Sequence, residues 1–449
     1  MADAGDIAAG RLPADEIDRN FADVHPPLDR KRALVEASRC YFCYDAPCAS
    51  ACPTGIDIPG FIRKIATDNL KGAAVTILEE NIMGGACARV CPVEILCEAA
   101  CVREAQEAKP VSIGALQRYA TDALFERGEQ PFRRKPPSGK RVAVVGAGPA
   151  GMACAHRLAM LGHDVTVFEA KAKAGGLNEH GVAAYKVPED FAQKEIAFIL
   201  ALGGIRIEHG KALGREVTLA QLRREFAAVF LGIGLAGTNA LGLEDETMTG
   251  VIDAVAYIEG LRQAPAKSRL EIGRRVVVIG GGNTAIDIAV QAKRLGAEEV
   301  TIVYRRGADK MSATHHEQDF AQVNGVSIKH WARPVRLVGY RGSLKEVEFE
   351  YTQLDGEGRL MGTGDRFLLL ADQLFKAIGQ SFVPGPLGNG TAEPLELKDG
   401  RLQVNADRQT SLANVWAGGD AVPGPDLTVS AVQDGKIAAH AIDRFLGSA

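Results

Sequence analysis

Residues 140–170 read "KRVAVVGAGPAGMACAHRLAMLGHDVTVFEA". An apolar run is followed by a glycine-rich turn, an alanine-rich stretch at helical spacing, and a second apolar run that ends at Glu169. In the spacing G-x-G-x-x-G, the first glycine permits a tight turn, the second lets a pyrophosphate approach the backbone, and the third allows close helix–strand packing. The acid at the end of the second strand can accept hydrogen bonds from a ribose. The stretch therefore predicts a Rossmann-type dinucleotide site at Gly146, Gly148, Pro149, Ala150, Gly151 and Glu169.

A second stretch repeats this order of elements at residues 274–306, "RRVVVIGGGNTAIDIAVQAKRLGAEEVTIVYRR". Ala285 replaces the third glycine, a change that the fingerprint tolerates. The second strand ends in two arginines, where an NAD site usually carries an acid; arginine there can bind the 2′-phosphate of NADP. The alternative is that the two arginines are merely solvated at the end of the strand and bind no phosphate. The stretch predicts a site for NADH or NADPH at Gly281, Gly282, Asn283, Thr284, Arg305 and Arg306.

A third segment, residues 412–446, begins with a short apolar run and a Gly-Gly-Asp turn. A helix is predicted to start near Thr428. The Asp420 carboxylate could hold a ribityl or pyrophosphate hydroxyl, and the amide end of the helix could face the anionic edge of a reduced flavin. The segment is therefore expected to return to the dinucleotide bound by the first turn.

Eight of the nine cysteines form two groups, "CYFCYDAPCASACP" at 40–53 and "CARVCPVEILCEAAC" at 87–101. The chain opens without a secretory signal, so we expect a cytoplasmic protein whose clustered thiols bind metal or carry redox chemistry instead of forming disulfides. The spacing C-x2-C-x4-C-x3-C-P is a looser relative of the ferredoxin run C-x2-C-x2-C-x3-C-P. It predicts two 4Fe–4S clusters; a zinc site and a set of reduced thiols are the alternatives.

Composition excludes several classes of protein. A net charge of −4 provides no basic field for nucleic acid or anionic lipid. No run approaches the roughly 18 apolar residues of a membrane span. The length of 449 residues allows two or three domains. Apolar residues at helical spacing around the cysteines, then a proline-containing linker at 128–140, predict an α+β multidomain protein with an N-terminal α-helical iron–sulfur domain.

Taken together, these motifs resemble the electron-input half of dihydropyrimidine dehydrogenase, which in bacteria is a separate NAD-linked subunit. The chain is also similar to the small subunit of glutamate synthase. The resemblance runs from about Arg30 to Leu446 and rests on both cysteine groups with "GAGPAG", "AGGL", "GGGNTAID", "VYRR" and "AGGD". It implies FAD in the first site and two Rossmann-like domains of the disulfide-reductase type. The implied boundaries are 1–134 for a helical two-cluster domain, 135–238 with 379–449 for a discontinuous FAD domain, and 239–378 for an inserted nicotinamide domain.

The resemblance also implies ligands for both clusters: Cys40, Cys43, Cys48 and Cys101 for one, and Cys52, Cys91, Cys97 and Gln117 for the other. Cys87 is then not a ligand, unless it takes the place of Gln117 at the second cluster. The alternative for Gln117 is that its amide lies on the helix surface and binds no cluster. Cys154 is expected to be a small buried hydrophobe.

Further cofactor residues follow from the same resemblance. Ser312 stands where the NADPH-using enzyme has a third arginine, which favours NADH, with use of both NADH and NADPH as the alternative. Lys186 stands where the family often has arginine, and would keep a charge contact with FAD. The remaining residues implied at FAD are Gly176, Leu177, Gly419, Asp420 and Thr428.

The implied function is an oxidoreductase in which no side chain acts as acid or base, because hydride transfer from nicotinamide to flavin is cofactor chemistry. Electrons would pass through the clusters to an FMN-containing barrel subunit that reduces uracil and thymine. The alternatives are a glutamate synthase small subunit, another ferredoxin-coupled NAD(P)H oxidoreductase, and a non-catalytic redox-sensing scaffold. Gln117 favours the pyrimidine branch, and the scaffold predicts no dye reduction driven by NAD(P)H.

Overall fold

The computed structural model describes residues 6–388 and 394–447, in which the chain forms two compact units. The fold class expected from the sequence is confirmed, since helices precede two α/β domains that are each built on a parallel sheet. Within the described residues no helix combines the length and apolarity needed to cross a bilayer. The first unit comprises the chain up to Val24, His180–Pro188 and Gly237–Ser381. The second comprises His25–Glu179, Glu189–Ala236 and the chain from Phe382.

The second unit begins with a bundle of short helices whose apolar residues recur at helical spacing. Helix Ile58–Ala66 buries Ile58, Phe61, Ile62 and Ile65, as the spacing predicts. Caps fix where helices start: the Asp57 side chain accepts a hydrogen bond from the Gly60 N–H at 2.9 Å. The helices are Arg30–Ser38, Pro47–Ala51, Ile58–Ala66, Leu70–Glu80, Gly84–Val90, Val102–Glu107 and Ile113–Glu126, with a 3₁₀ turn at Val93–Ile95.

The second unit continues with a five-stranded parallel sheet. Its central strands are buried almost from end to end, which is typical of parallel strands covered on both faces. One apolar core joins this sheet to the helical bundle. The strand order is Val415–Ala417, Ala228–Leu231, Arg141–Val145, Asp164–Glu169 and Ile205–His209. The main helices are Pro149–Met160, Phe191–Leu200, Leu219–Glu225 and Thr428–Gly447, and a small hairpin pairs Leu397–Lys398 with Arg401–Leu402.

The first unit contains its own five-stranded parallel sheet and a three-stranded antiparallel sheet. The parallel order is Ser327–His330, Glu299–Tyr304, Arg275–Ile279, Gln373–Lys376 and Val251–Asp253. The antiparallel strands are Ala332–Tyr340, Ser343–Leu354 and Leu360–Leu370. Two short pairs join Ile7–Ala8 to Ile272–Gly273 and Gly237–Thr238 to Gln380–Ser381. The helices are Ala14–Asn20, Ala254–Gln263, Asn283–Arg294 and His315–Val323, and a short helix, Leu177–His180, ends where this unit's second segment begins.

The compact units divide the chain at different places from the domain boundaries expected above. The chain up to Val24 packs in the unit that carries the second glycine turn, where Ile17 enters the core and Ile7–Ala8 completes a strand pair. Residues 180–188 join the same unit and bury Tyr185 completely. Both segments are too short to bury their own apolar side chains, so a neighbouring core must supply the contacts.

The close crossing of helices Thr428–Gly447 and Pro149–Met160 gives a stability prediction. A Cβ at Gly435 would lie 2.2 Å from the Ala150 carbonyl oxygen, so Gly435→Ala forces the helices apart. We expect the free energy of unfolding to fall by about 1–3 kcal/mol, measured by denaturant unfolding.

Gly260→Ala is the matched control, because Gly260 lies inside helix Ala254–Gln263 with no atom within 4 Å of the added Cβ. It should raise the free energy of unfolding by about 0.5–1 kcal/mol through helix propensity. Equal effects of the two substitutions would contradict the packing argument.

Candidate functional site

The first glycine turn has the backbone that a bound diphosphate needs. Gly146 has φ +93°, and a Cβ there would lie 2.3 Å from the Gly232 carbonyl oxygen. At Gly151 a Cβ would lie 1.9 Å from the Gly146 carbonyl oxygen. By contrast, a Cβ at Gly148 would meet only the Gly176 Cα, at 3.6 Å. Gly146 and Gly151 are thus required by the packing of the protein itself. Gly148 instead lies where a ligand can approach the start of helix Pro149–Met160.

Glu169 lies at the end of its strand, as the sequence predicts, and is fixed by backbone donors. Its two carboxylate oxygens accept hydrogen bonds of 2.8 Å from the N–H groups of Ala147 and Lys171. The side chain is buried beside the glycine turn. An acceptor held in this way is suited to a ribose hydroxyl.

The "AGGL" segment and the C-terminal helix meet the same turn. Gly176 has φ +55°, and a Cβ there would lie 2.6 Å from the Gly148 Cα. Leu177 follows it and is partly exposed. The Thr428 hydroxyl donates a hydrogen bond to Asn178 Oδ1 at 3.0 Å. Residues that lie some 250 positions apart in sequence are therefore adjacent at the start of helix Thr428–Gly447.

The "AGGD" turn completes this set of residues. Gly419 has φ +70°, a Cβ there would lie 3.0 Å from the Ala150 Cβ, and its N–H donates to Asp434 Oδ2 at 2.9 Å. Burial raises the pKa of Asp420 to about 6, and Asp426 adds to the rise. The converging residues fit a dinucleotide, since backbone N–H groups, an anchored carboxylate and the half-buried Asp420 lie at one open turn.

Lys186 belongs to the first unit, whereas the residues described above belong to the second. Its ammonium forms ion pairs of 2.8 Å with Asp287 and 2.7 Å with Glu317. Burial alone lowers the pKa of Lys186, but the two carboxylates together raise it above its ordinary value. The ammonium is therefore engaged within the first unit, and its expected contact with FAD stays a prediction.

The second glycine turn lies at the start of helix Asn283–Arg294, with Gly282 at its N-cap. A Cβ at Gly281 would lie 2.6 Å from the Tyr304 ring, and one at Gly282 would lie 3.1 Å from the Ser312 hydroxyl. Position 281 therefore has room only for a glycine beside the Tyr304 ring. A backbone without a side chain is what the close approach of a diphosphate requires. Asn283 and Thr284 open the helix, and Arg305 and Arg306 are exposed at the end of the neighbouring strand.

The eight clustered thiols form two adjoining sets: burial raises the pKa of Cys97 in the second set, and Glu98, Cys52 and Cys48, the last from the first set, add to the rise. Burial raises the pKa of Cys48 to about 11, with Cys101 and Cys40 adding to it, and burial raises the pKa of Cys40, with contributions from Cys43 and Cys101. These four are the expected ligands of one cluster. For Cys91, burial raises the pKa and the added contributions come from Cys87, Cys97 and Cys52, which form the second set. All nine cysteines lie in the described residues, and none of them forms a disulfide.

The donor sets fit iron–sulfur clusters in their chemistry. The Phe42 N–H donates to Cys40 Sγ at 3.4 Å, and Thr54 Oγ1 lies 3.3 Å from Cys52 Sγ, so the sulfurs have the kind of donors that tune such clusters. Among the described residues, no three His, Cys, Asp or Glu side chains are arranged to hold a single metal ion. A four-iron cube bonds each thiolate to a different iron, so its ligands need not converge on one point.

Cys87 belongs to the second set, and Gln117 contacts the start of helix Gly84–Val90, which carries Cys87. Gln117 is buried, so it is not a helix-surface amide, and its Nε2 donates to the Gly84 carbonyl at 2.7 Å. That bond leaves the Gln117 Oε1 as the acceptor end of the side chain. Cys87 is buried and interacts electrostatically with Cys52. The choice of fourth ligand stays a prediction in favour of Gln117. Cys154 is fully buried on helix Pro149–Met160, as expected.

Two carboxylates at the cysteine region, the buried Glu195 and the half-buried Glu98, are marked by no sequence motif. Glu195 Oε1 accepts from the N–H groups of Gly85 and Ala86 at 2.9 and 3.0 Å, and burial raises its pKa to about 7. Glu98 Oε1 accepts from the Gly114 N–H at 2.9 Å, and burial raises its pKa to about 7. Each carboxylate thus anchors the first turn of a helix that carries an expected ligand or its neighbour.

The family models divide the chain as the motifs do. The model described as dihydropyrimidine dehydrogenase domain II, 4Fe-4S cluster, matches residues 17–129. The model described as pyridine nucleotide-disulphide oxidoreductase matches residues 140–435. The NAD-dependent dihydropyrimidine dehydrogenase subunit PreT of Escherichia coli strain K12 is 35% identical over 433 residues, covering 96% of this chain and 98% of that protein. The chain belongs to the family of NAD-dependent dihydropyrimidine dehydrogenase subunits.

The Salmonella typhimurium member of this dihydropyrimidine dehydrogenase family is also 35% identical, over 432 residues, with 96% of this chain and 98% of that protein covered. The resemblance inferred from the motifs, and the assignment as an oxidoreductase, are therefore confirmed.

Solved structures resemble the chain in fold. Mycobacterium tuberculosis FprA in complex with NADPH superposes with a TM-score of 0.57 at 19% identity, covering 70% of this chain and 85% of that one. Thioredoxin reductase of T. acidophilum gives a TM-score of 0.52 at 19% identity, covering 68% of this chain and 99% of that one. At such identities the likeness shows the fold alone, and it agrees with the two parallel-sheet domains of this chain.

The two thiol sets predict separable clusters. In anaerobically purified protein, Cys48→Ala and Cys97→Ala should each remove about half of the bound iron, because a cluster needs its thiolates and each substitution affects one set. Iron analysis and electron paramagnetic resonance of the reduced protein should show a different cluster lost in each variant.

Gln117→Ala should change only the spectrum of the cluster lost in Cys97→Ala, and Cys87→Ala should keep both signals. A normal spectrum in Gln117→Ala with a lost signal in Cys87→Ala would exchange the two roles.

Proposed function

We propose that this chain is the electron-input subunit of a pyrimidine-reducing enzyme. It oxidises NADH at FAD and passes electrons through two 4Fe–4S clusters to an FMN-containing partner subunit, which reduces uracil and thymine to 5,6-dihydropyrimidines. The observation that carries the proposal is that the first glycine turn and both cysteine groups belong to one compact unit with a shared core. Close-packed cores hold the groups they carry at fixed separations, as electron transfer requires.

The comparisons support the pyrimidine branch. A relative that shares 35% of its residues over 96% of this chain is named an NAD-dependent dihydropyrimidine dehydrogenase subunit. The buried Gln117, with its amide nitrogen bonded to Gly84, agrees with the ligand expected for that branch.

The residues of the site bind and orient. FAD, when bound, supplies a hydride acceptor, and the clusters supply one-electron transfer. Gly148 would let the FAD diphosphate reach the backbone at the positive end of helix Pro149–Met160, and Glu169, fixed by two N–H groups, would hold the ribose. Gly282 and Thr284, at the start of helix Asn283–Arg294, would bind the diphosphate of the nicotinamide dinucleotide. No side chain is needed to move a proton in this transfer, so none is proposed as catalytic.

A partner is supported by the relatives, which are named as subunits of a dihydropyrimidine dehydrogenase. The sequence itself holds two glycine-rich nucleotide turns and two cysteine groups. Single electrons delivered to clusters need a terminal acceptor, and an FMN-bearing barrel subunit supplies one.

The test is anaerobic co-expression with the candidate FMN subunit, followed by assays of NADH and NADPH oxidation. Uracil and thymine should each support NADH oxidation, and the chain alone should reduce an artificial dye. Oxidation with glutamine plus 2-oxoglutarate, and none with pyrimidines, would make the chain a glutamate synthase subunit. If the chain, loaded with FAD and both clusters, reduces no dye, the result would favour the non-catalytic scaffold.

The preference for NADH generates a prediction at Ser312. Its hydroxyl lies beside Gly282, at the turn expected to bind the diphosphate, where a third arginine would complete a clamp for the 2′-phosphate. Ser312→Arg should raise the ratio of kcat/KM for NADPH to that for NADH about tenfold, which corresponds to about 1.4 kcal/mol.

The control is Ser327→Arg, an exposed serine of the same unit on strand Ser327–His330, which should leave the ratio unchanged. A wild-type chain that already prefers NADPH would overturn the NADH proposal.

A further inference from the structure

Thr54 occupies a distinctive position next to the second thiol set. It lies two residues after Cys52, and only 2% of it is exposed. Its Oγ1 lies 3.3 Å from Cys52 Sγ. As a cluster ligand Cys52 is a thiolate without a proton, so the Thr54 hydroxyl must be the donor in this contact. Hydrogen bonds to ligand sulfurs are among the factors that set the potential of an iron–sulfur cluster.

The backbone of Thr54 is held from the C-terminal helix. Lys436 Nζ donates to the Thr54 carbonyl at 2.8 Å, to the Glu80 carbonyl at 3.2 Å, and pairs with Glu80 Oε2 at 2.7 Å. The Glu80 carboxylate offsets most of the ammonium charge, so the main effect of Lys436 on Cys52 is through the position of Thr54. Only 14% of the Lys436 side chain is exposed, which limits its other conformations.

The same helix reaches the expected FAD site. It begins at Thr428, which is hydrogen-bonded to Asn178, and crosses helix Pro149–Met160 where Gly435 meets Ala150. Lys436, the next residue, therefore lies on a helix that also packs against helix Pro149–Met160, which follows the first glycine turn. These contacts all lie within the second unit.

We propose that Thr54 tunes the cluster bound through Cys52 by donating its hydroxyl to the ligand sulfur, and that Lys436 is the positioning residue that fixes Thr54 relative to the FAD helix. The hydrogen bond stabilises the negative charge added when the cluster takes an electron, and so raises its potential. A higher potential at this cluster favours electron transfer out of the flavin. This inference rests on the proposed function only in that Cys52 is a cluster ligand.

The first experiment compares Thr54→Val with Thr54→Ser in cluster-loaded protein, by anaerobic redox titration followed by electron paramagnetic resonance. Valine has the shape of threonine without the hydroxyl, so one cluster should become harder to reduce by up to tenfold in its equilibrium, which is about 59 mV for a one-electron couple. Serine keeps the hydroxyl and should restore the wild-type potential. Thr67→Val, at an exposed threonine whose hydroxyl bonds only to helix carbonyls, should change neither cluster.

The second experiment tests whether Lys436 acts through Thr54. Lys436→Met should lower the potential of the same cluster, and Lys436→Arg should recover part of it. In the Thr54→Val background, Lys436→Met should add no further shift, because the hydroxyl that it positions is already gone.

Two results would overturn the proposal: an unchanged potential in Thr54→Val, or additive shifts in the double variant. Iron content and FAD content of each variant show that it has folded and is loaded. The outcome does not depend on the terminal substrate, so a failure with uracil and thymine would remove the proposed function and leave this proposal standing.

Discussion

The crossing of two helices at a glycine sets the geometry of the second unit. At Gly435, helix Thr428–Gly447 comes so close to helix Pro149–Met160 that a Cβ would lie 2.2 Å from the Ala150 carbonyl. Ala150 belongs to the first glycine turn, so the C-terminal helix is pressed directly against the element that is expected to hold FAD. A side chain at this point would separate the two helices, and every contact that depends on their spacing would change with them.

Three consecutive residues of that helix point in three directions, because a helix turns about 100° per residue. Asp434 Oδ2 accepts from the Gly419 N–H at 2.9 Å and holds the "AGGD" turn. Gly435 meets the nucleotide helix. Lys436 bonds to the Thr54 carbonyl at 2.8 Å, two residues from Cys52. These three residues therefore tie both halves of the expected FAD site to the loop of an expected cluster ligand, all within one compact unit.

Features that depend on neighbouring residues could be predicted from the sequence, and features that depend on distant packing could not. The glycine turns and the strand that ends at Glu169 follow from local spacing, and the structure has them where expected. Glu195 could not be found in this way, because its partner Gly85 lies 110 residues earlier and no motif marks a buried carboxylate. The ion pairs of Lys186 with Asp287 and Glu317 could not be found from the sequence either, since the counter-charges of a buried ammonium are provided by distant packing.

By itself, the sequence determined the helical and Rossmann elements, the two nucleotide turns, the two thiol groups and the family to which the chain belongs. Each of these is written in short-range spacing, where the period of a helix or strand and the conformational freedom of glycine decide the outcome. Only the tertiary structure decided that the chain up to Val24 and residues 180–188 join the second nucleotide domain. Only the tertiary structure also brought Lys436 to Thr54, some 382 residues away. Burial and hydrogen bonding stabilise such a contact whatever the separation of its residues in the sequence.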